Sequence, residues 1–211
     1  GKSGMKHISA ILDETRTDLE ERQEKALAGE IQGINTGLTD MNELNNGWQK
    51  GELIIIAARP SMGKTAVALN LFTKSAAVKG RNVCVFSLEM ENIKLSKRLI
   101  LSYGGIVRHN FERGTMTPGD WSSYNQADRE LRQLPIFIDD TAGVDVRHIS
   151  SVIRNKVRKD QCDLVIIDYL QLVETPQTYG NKNREREVAE ISRGLKKAAK
   201  SAGVPIILLA Q

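Results

Sequence analysis

A chain of 211 residues can bury one sizeable core, and 40% apolar with 27% charged residues excludes a disordered or fibrous chain. The net charge of +4 arises from 30 basic residues mixed among 26 acidic ones, a weak lean towards an anionic partner. Aromatic residues at 5% argue against a surface that stacks bases, so any nucleic-acid contact should run through phosphates. The longest apolar runs, 53–58 and 204–210, are too short to cross a bilayer, and no charged-then-apolar leader opens the chain. A cytoplasmic protein without membrane contact is expected. Cys84 and Cys162 lack CxxC spacing and sit in or beside apolar runs, so they read as buried or half-buried free thiols.

Residues 1–4, GKSG, read as an expression remnant. Residues 7–28 carry Ile8, Ile11, Leu12, Leu19 and Ala26 among many charges, a narrow helical stripe that ends near Gly29. Such a stripe packs either on its own domain or on a neighbouring subunit. Residues 33–51 are rich in Gly, Asn and Thr, with a short helix about 40–44. The β-branched run 53–58 predicts one buried parallel strand, and a loop follows before a helix that opens at Thr65 and ends at Gly80. Residues 81–88 predict a second strand that delivers Glu89. A helix over 91–103 uses Ile93, Leu95, Leu99 and Ile100 as apolar positions, and another runs over 120–134. PIFIDD, 135–140, is a third strand and 144–159 a helix with one buried face. The run 164–167 delivers Asp168 at a strand end. A polar loop with Pro176 and Gly180 spans 174–183, a helix spans 184–202, and 204–211 is the last strand, closing at Gln211. Strands alternating with helices predict an α/β fold with a parallel sheet flanked by helices.

The stretch LIIIAARPSMGKT, 53–65, places strand, loop and helix in the order of a phosphate-binding loop. Backbone N–H groups along Ser61, Met62, Gly63, Lys64, Thr65 and Ala66 would face a phosphate at the positive end of the helix. Gly63 permits close approach, Lys64 reaches the outer phosphates and Thr65 holds Mg2+. Ala58 stands where the GxxxxGK[ST] pattern expects glycine. Phosphate cleavage also needs a metal-orienting acid and a group that positions water. Asp168 fits the first and Glu89 the second, yet Asp139 and Asp140 also close an apolar strand, and Glu89 alone fits a solvated position equally well. Gln211 is a phosphate sensor or an ordinary terminal glutamine.

Several stretches together resemble the bacterial and phage replicative DNA helicases of the DnaB family, whose motor domain is RecA-like. They are ILDET (11–15), GINTG (33–37), AARPSMGKT (57–65), FSLEM (86–90), IDYLQL (167–172), EVAEISRGLKKAAK (187–200) and VPIILLAQ (204–211), in family order. Alanine at position 58 is normal in that family. The resemblance implies ATP and Mg2+ as cofactors, Glu89 as the carboxylate that activates water, Asp168 as the Walker B acid and Gln211 as sensor. It implies a helical linker arm over 5–29 and a RecA-like ATPase core over 30–211 that continues past Gln211. It further implies single-stranded DNA as partner, along the loop 174–186, and a hexameric ring for the full-length protein, with primase and a helicase loader beyond it. Arg193, Lys196, Lys197 and Lys200 form either a solvated face or a DNA contact. Competing readings are a RecA-type or clock-type ATPase and a truncated ATP-binding assembly module without turnover.

Overall fold

In the computed structural model, five strands form one parallel sheet: β1 (Leu53–Ala57), β2 (Val83–Ser87), β3 (Ile136–Asp139), β4 (Leu164–Leu170) and β5 (Ile206–Ala210), in the order β1-β5-β4-β2-β3. Eight helices connect or precede them among the described residues: α1 (Ile8–Leu27), α2 (Thr39–Asn45), α3 (Lys64–Ala77), α4 (Asn92–Leu101), α5 (Arg108–Arg113), α6 (Pro118–Arg132), α7 (Val146–Arg158) and α8 (Asn181–Ala202). The structure describes residues 4–57, 64–88, 90–170 and 181–210. No described helix is long and apolar enough to cross a membrane.

Strand alternation sorts the core into two layers. Val83 and Val85, Leu164 and Ile166, and Ile207 and Leu209 face one side, where Leu69, Phe72 and Ala76 of α3 and Leu95 of α4 cover them. Cys84 and Phe86, Val165 and Ile167, and Ile206 and Leu208 face the other, under Ile149 and Ile153 of α7 and Leu195 and Ala199 of α8. Gly194 lets α8 approach α7, because a methyl group there would stand 2.7 Å from Val146 Cγ1. Cys84 and Cys162 are both free and buried, as expected. Each contacts the other's thiol, which holds the Cys84 thiol below its ordinary value and pushes that of Cys162 up.

Four local expectations need correction. The strand expected over 53–58 is half-exposed rather than buried: β1 lies at the sheet edge, and Ile55 is 49% exposed. Ile93 is 61% exposed, because α4 packs through Leu95, Leu99 and Ile100. Asp168 stands two residues before the end of β4, where the ladder to β5 shifts register between Asp168 and Leu170. The segment 181–183, expected as loop, is the first turn of α8.

The helix α5, which apolar spacing did not announce, is braced by the start of α6. Thr117 and Asp120 form a capping box, with Pro118 in the first turn where its missing N–H costs nothing. Asp120 also accepts from Val107 N–H at 3.1 Å and from Asn110 Nδ2 at 3.0 Å, so one carboxylate ties the start of α5 to the start of α6. The backbone N–H groups of Thr117 and Val107, then Asn110, hold its carboxyl down at about 2. Its folded value is depressed, so the stability it contributes is present above the ordinary carboxyl range and is lost as pH falls towards 2. We expect Asp120→Ala to lower the thermal midpoint by several degrees at neutral pH, with the gap to the unaltered protein narrowing at pH 2–3; parallel melting curves check both.

The GINTG stretch has a packing reason. Ile34 and Trp48 form an antiparallel bridge, and Trp48 meets Phe72 edge-on at 5.3 Å. A side chain at Gly33 would collide with the Trp48 carbonyl and come within 2.8 Å of that of Asn46, while one at Gly47 would collide with the Ile34 carbonyl. Backbone cannot move aside as a side chain can. Gly33→Ala is expected to cost about 1–3 kcal/mol, read as a lower denaturant midpoint.

Helix α1 differs from the other long helices in burying no residue. Ile8, Ile11, Leu12 and Leu19 are all exposed, so its stripe is not covered by its own domain.

Candidate functional site

Parallel pairing brings the carboxyl ends of β1, β5, β4 and β2 to one edge. The register aligns Ile56, Leu209, Asp168 and Ser87 in a row across it. By the alternation that places Ile166 and Val85 towards α3, Asp168 and Ser87 also face α3. Asp168 is 7% exposed, a buried carboxylate two strands from β1, or roughly 10 Å at ordinary strand spacing. The helix α3 begins at Lys64 just beyond β1, so Lys64, Thr65 and Ala66 form its first turn, where backbone N–H groups lack helical acceptors. The helix expected after residue 63 is thus present on the face towards which Asp168 turns. Ser61, Met62, Gly63, Glu89 and Gln211 lie outside the described residues. Their attachment points do not: β5 ends at Ala210 between β1 and β4, and the Leu88 N–H donates to the Asp168 carbonyl at 2.7 Å.

The three acids that looked alike in sequence have different surroundings. Asp139 pairs with Phe86 and so faces α7, where His148 Nε2 stands 3.1 Å from its Oδ2 and the Thr141 N–H donates to Oδ1 at 2.9 Å. Burial opposes its ionisation, but the bonds from Thr141 and His148 prevail and hold the carboxyl below its ordinary value. Asp140 accepts the Asn92 N–H at 2.9 Å and caps α4 from outside. Neither stands in the row with Leu209 and Ile56.

Ser87 was not singled out in the sequence. It is buried, and its Oγ donates to the Met90 carbonyl at 2.7 Å. Its partner is a backbone carbonyl, so the residue letters carry no signal for it. Arg193, Lys196, Lys197 and Lys200 lie along α8 and all four are exposed, as either a solvated face or a DNA contact requires. Of the loop 174–186, the part 174–180 lies outside the described residues.

A cleft of about 520 Å3 lies at the opposite edge, lined by Arg22 and Lys25 of α1 with Trp48, Arg81, Cys162 and Asp163 among others. Arg81, Cys162 and Asp163 precede β2 and β4, so this cleft is separate from Asp168.

A parallel sheet with a phosphate-loop helix beside a buried strand carboxylate defines a RecA-like P-loop ATPase fold. The chain belongs to the DnaB-like helicase C terminal domain family, which it matches over residues 33–211. It is 39% identical over 206 residues to the replicative DNA helicase DnaB of Geobacillus stearothermophilus, covering 98% of this chain and 45% of that protein. Among solved structures, one described as an ATPase domain superposes with a TM-score of 0.82 at 34% identity, covering all of this chain and 72% of that one. A DnaB-like replicative helicase, solved with its interactions with primase, gives 0.78 at 34% identity over all of this chain and 49% of that one. The chain therefore spans less than half the length of the curated relative.

Proposed function

We propose that the chain is the ATP-hydrolysing motor of a replicative DNA helicase, which couples turnover to translocation on single-stranded DNA and duplex unwinding. The observation that carries this is the placement of Asp168: buried, facing α3, and backbone-bonded to the residue before Glu89. In this reading residues 61–66 cradle the phosphates, with Lys64 as their cation. Thr65 and Asp168 would hold Mg2+, a role that fits a buried carboxylate on the sheet face that α3 covers. Bound magnesium neutralises phosphate charge. Glu89 orients and deprotonates water, and Gln211, which follows the strand between β1 and β4, senses the outer phosphate.

Residues 5–29 are the linker arm and 30–211 the ATPase core. The exposed stripe of α1 supports self-association, with a hexameric ring as the assembled form. DNA would follow the segment 174–186 through its phosphates. Primase is proposed as a partner from the structural relative solved with it, and a helicase loader and a cytoplasmic location from family membership.

The test is ATP turnover with and without single-stranded DNA over a range of salt. Lys64→Ala should weaken ATP binding by about 10- to 100-fold, because a charge-assisted phosphate contact is lost. Turnover indifferent to DNA at every salt concentration would favour an ATP-binding assembly module instead.

A further inference from the structure

We propose that Ser87 is a positioning residue for ATP turnover: its buried hydroxyl holds the Met90 carbonyl and so constrains the chain on either side of Glu89. This rests on the assignment of Glu89 as the water-activating carboxylate. Residues on both sides of position 89 are held by hydrogen bonds. Before it, the Leu88 N–H donates to the carbonyl of Asp168 at 2.7 Å, so the turn starts from the strand that bears the metal-orienting acid. After it, the Met90 carbonyl accepts the Ser87 hydroxyl at 2.7 Å. Two residues further, Asp140 accepts the Asn92 N–H at 2.9 Å and fixes where α4 begins.

Of these three ties, the Ser87 hydroxyl is the one that spans residue 89 directly. It lies on the α3 face in register with Asp168 and is 1% exposed, so its hydroxyl is shielded from water. A base that must approach an attacking water to within hydrogen-bond reach tolerates little displacement, and misplacement by about 1 Å can cost about 100-fold. Met90 also packs against the core beneath α3, which sets the far end of the turn without fixing its carbonyl.

The test compares Ser87→Ala, Ser87→Thr and Ser87→Cys in the full-length protein. Ser87→Ala is expected to lower kcat for ATP by about 10- to 100-fold, with KM and the equilibrium affinity for ATP unchanged. Ser87→Thr keeps the hydroxyl and should recover most of kcat; Ser87→Cys, a weak donor of similar size, should fall between and stands in if threonine overfills the site. Amide hydrogen exchange should quicken over residues 88–92 in Ser87→Ala and stay unchanged in β5. Wild-type kcat in Ser87→Ala, or a kcat loss matched by equal losses in ATP affinity and thermal stability, would overturn the proposal. Glu89→Gln separates the two readings: if it turns over ATP normally, the Glu89 assignment fails; if it is inactive while Ser87→Ala is not, only the positioning role fails.

Discussion

Glu89→Gln is expected to bind ATP as tightly as the unaltered protein and to turn it over about 100- to 10,000-fold more slowly. The substitution keeps the volume of the side chain and its ability to orient water, but it removes the capacity to take a proton. The argument for this residue is positional. Its preceding neighbour is bonded to the Asp168 carbonyl, and β2 and β4 are paired in register up to Ser87 and Asp168. Leu88, the residue before position 89, therefore lies at the carboxyl edge of the row that contains the proposed metal-orienting acid, where ligands of open α/β sheets collect. A fluorescent ATP analogue measures binding, and single-turnover hydrolysis measures chemistry. Normal turnover would sink the base assignment, and lost binding would move Glu89 from chemistry to holding the nucleotide.

The fold was legible because its signals are local. Each strand is an apolar run closed by a polar or glycine-bearing break, and each long helix has its own period, so alternation gave the parallel sheet before any contact was known. Strand order was not legible, and it decided what went wrong. An isoleucine-rich run such as residues 53–58 reads as buried, yet among the described strands β1 pairs with β5 alone, and Ile55 is 49% exposed. The choice among Asp139, Asp140 and Asp168 was likewise closed to composition and spacing. It depends on pairing partners: a register that sets Asp139 beside Phe86 turns it to α7, while one that sets Asp168 beside Ser87 turns it to α3. Asp120 and Ser87 escaped notice for a different reason. Their partners are largely backbone groups, which carry no signature in the residue letters.

The arm carries the other large prediction. Ile11→Asp combined with Leu12→Asp is expected to shift the protein from oligomer to monomer and to abolish most DNA-stimulated turnover. A 20-residue helix rich in charge is marginal in water unless its apolar face is covered, and α1 buries nothing on its own domain. Lys6–Glu14 and Asp18–Arg22 ion pairs hold its surface, but exposed pairs contribute little. The apolar stripe of Ile8, Ile11, Leu12 and Leu19 therefore needs an outside partner, and in a homo-oligomer that partner is the neighbouring copy. Covering one such side chain is worth about 1.5–3 kcal/mol, so losing two per interface weakens association by roughly 100- to 10,000-fold. Sedimentation velocity reads the assembly state directly. A protein that sediments at the same monomer size with both aspartates, with neither, and without residues 5–29 would remove the arm from assembly. Retained assembly with lost turnover would instead place the arm in the coupling between sites.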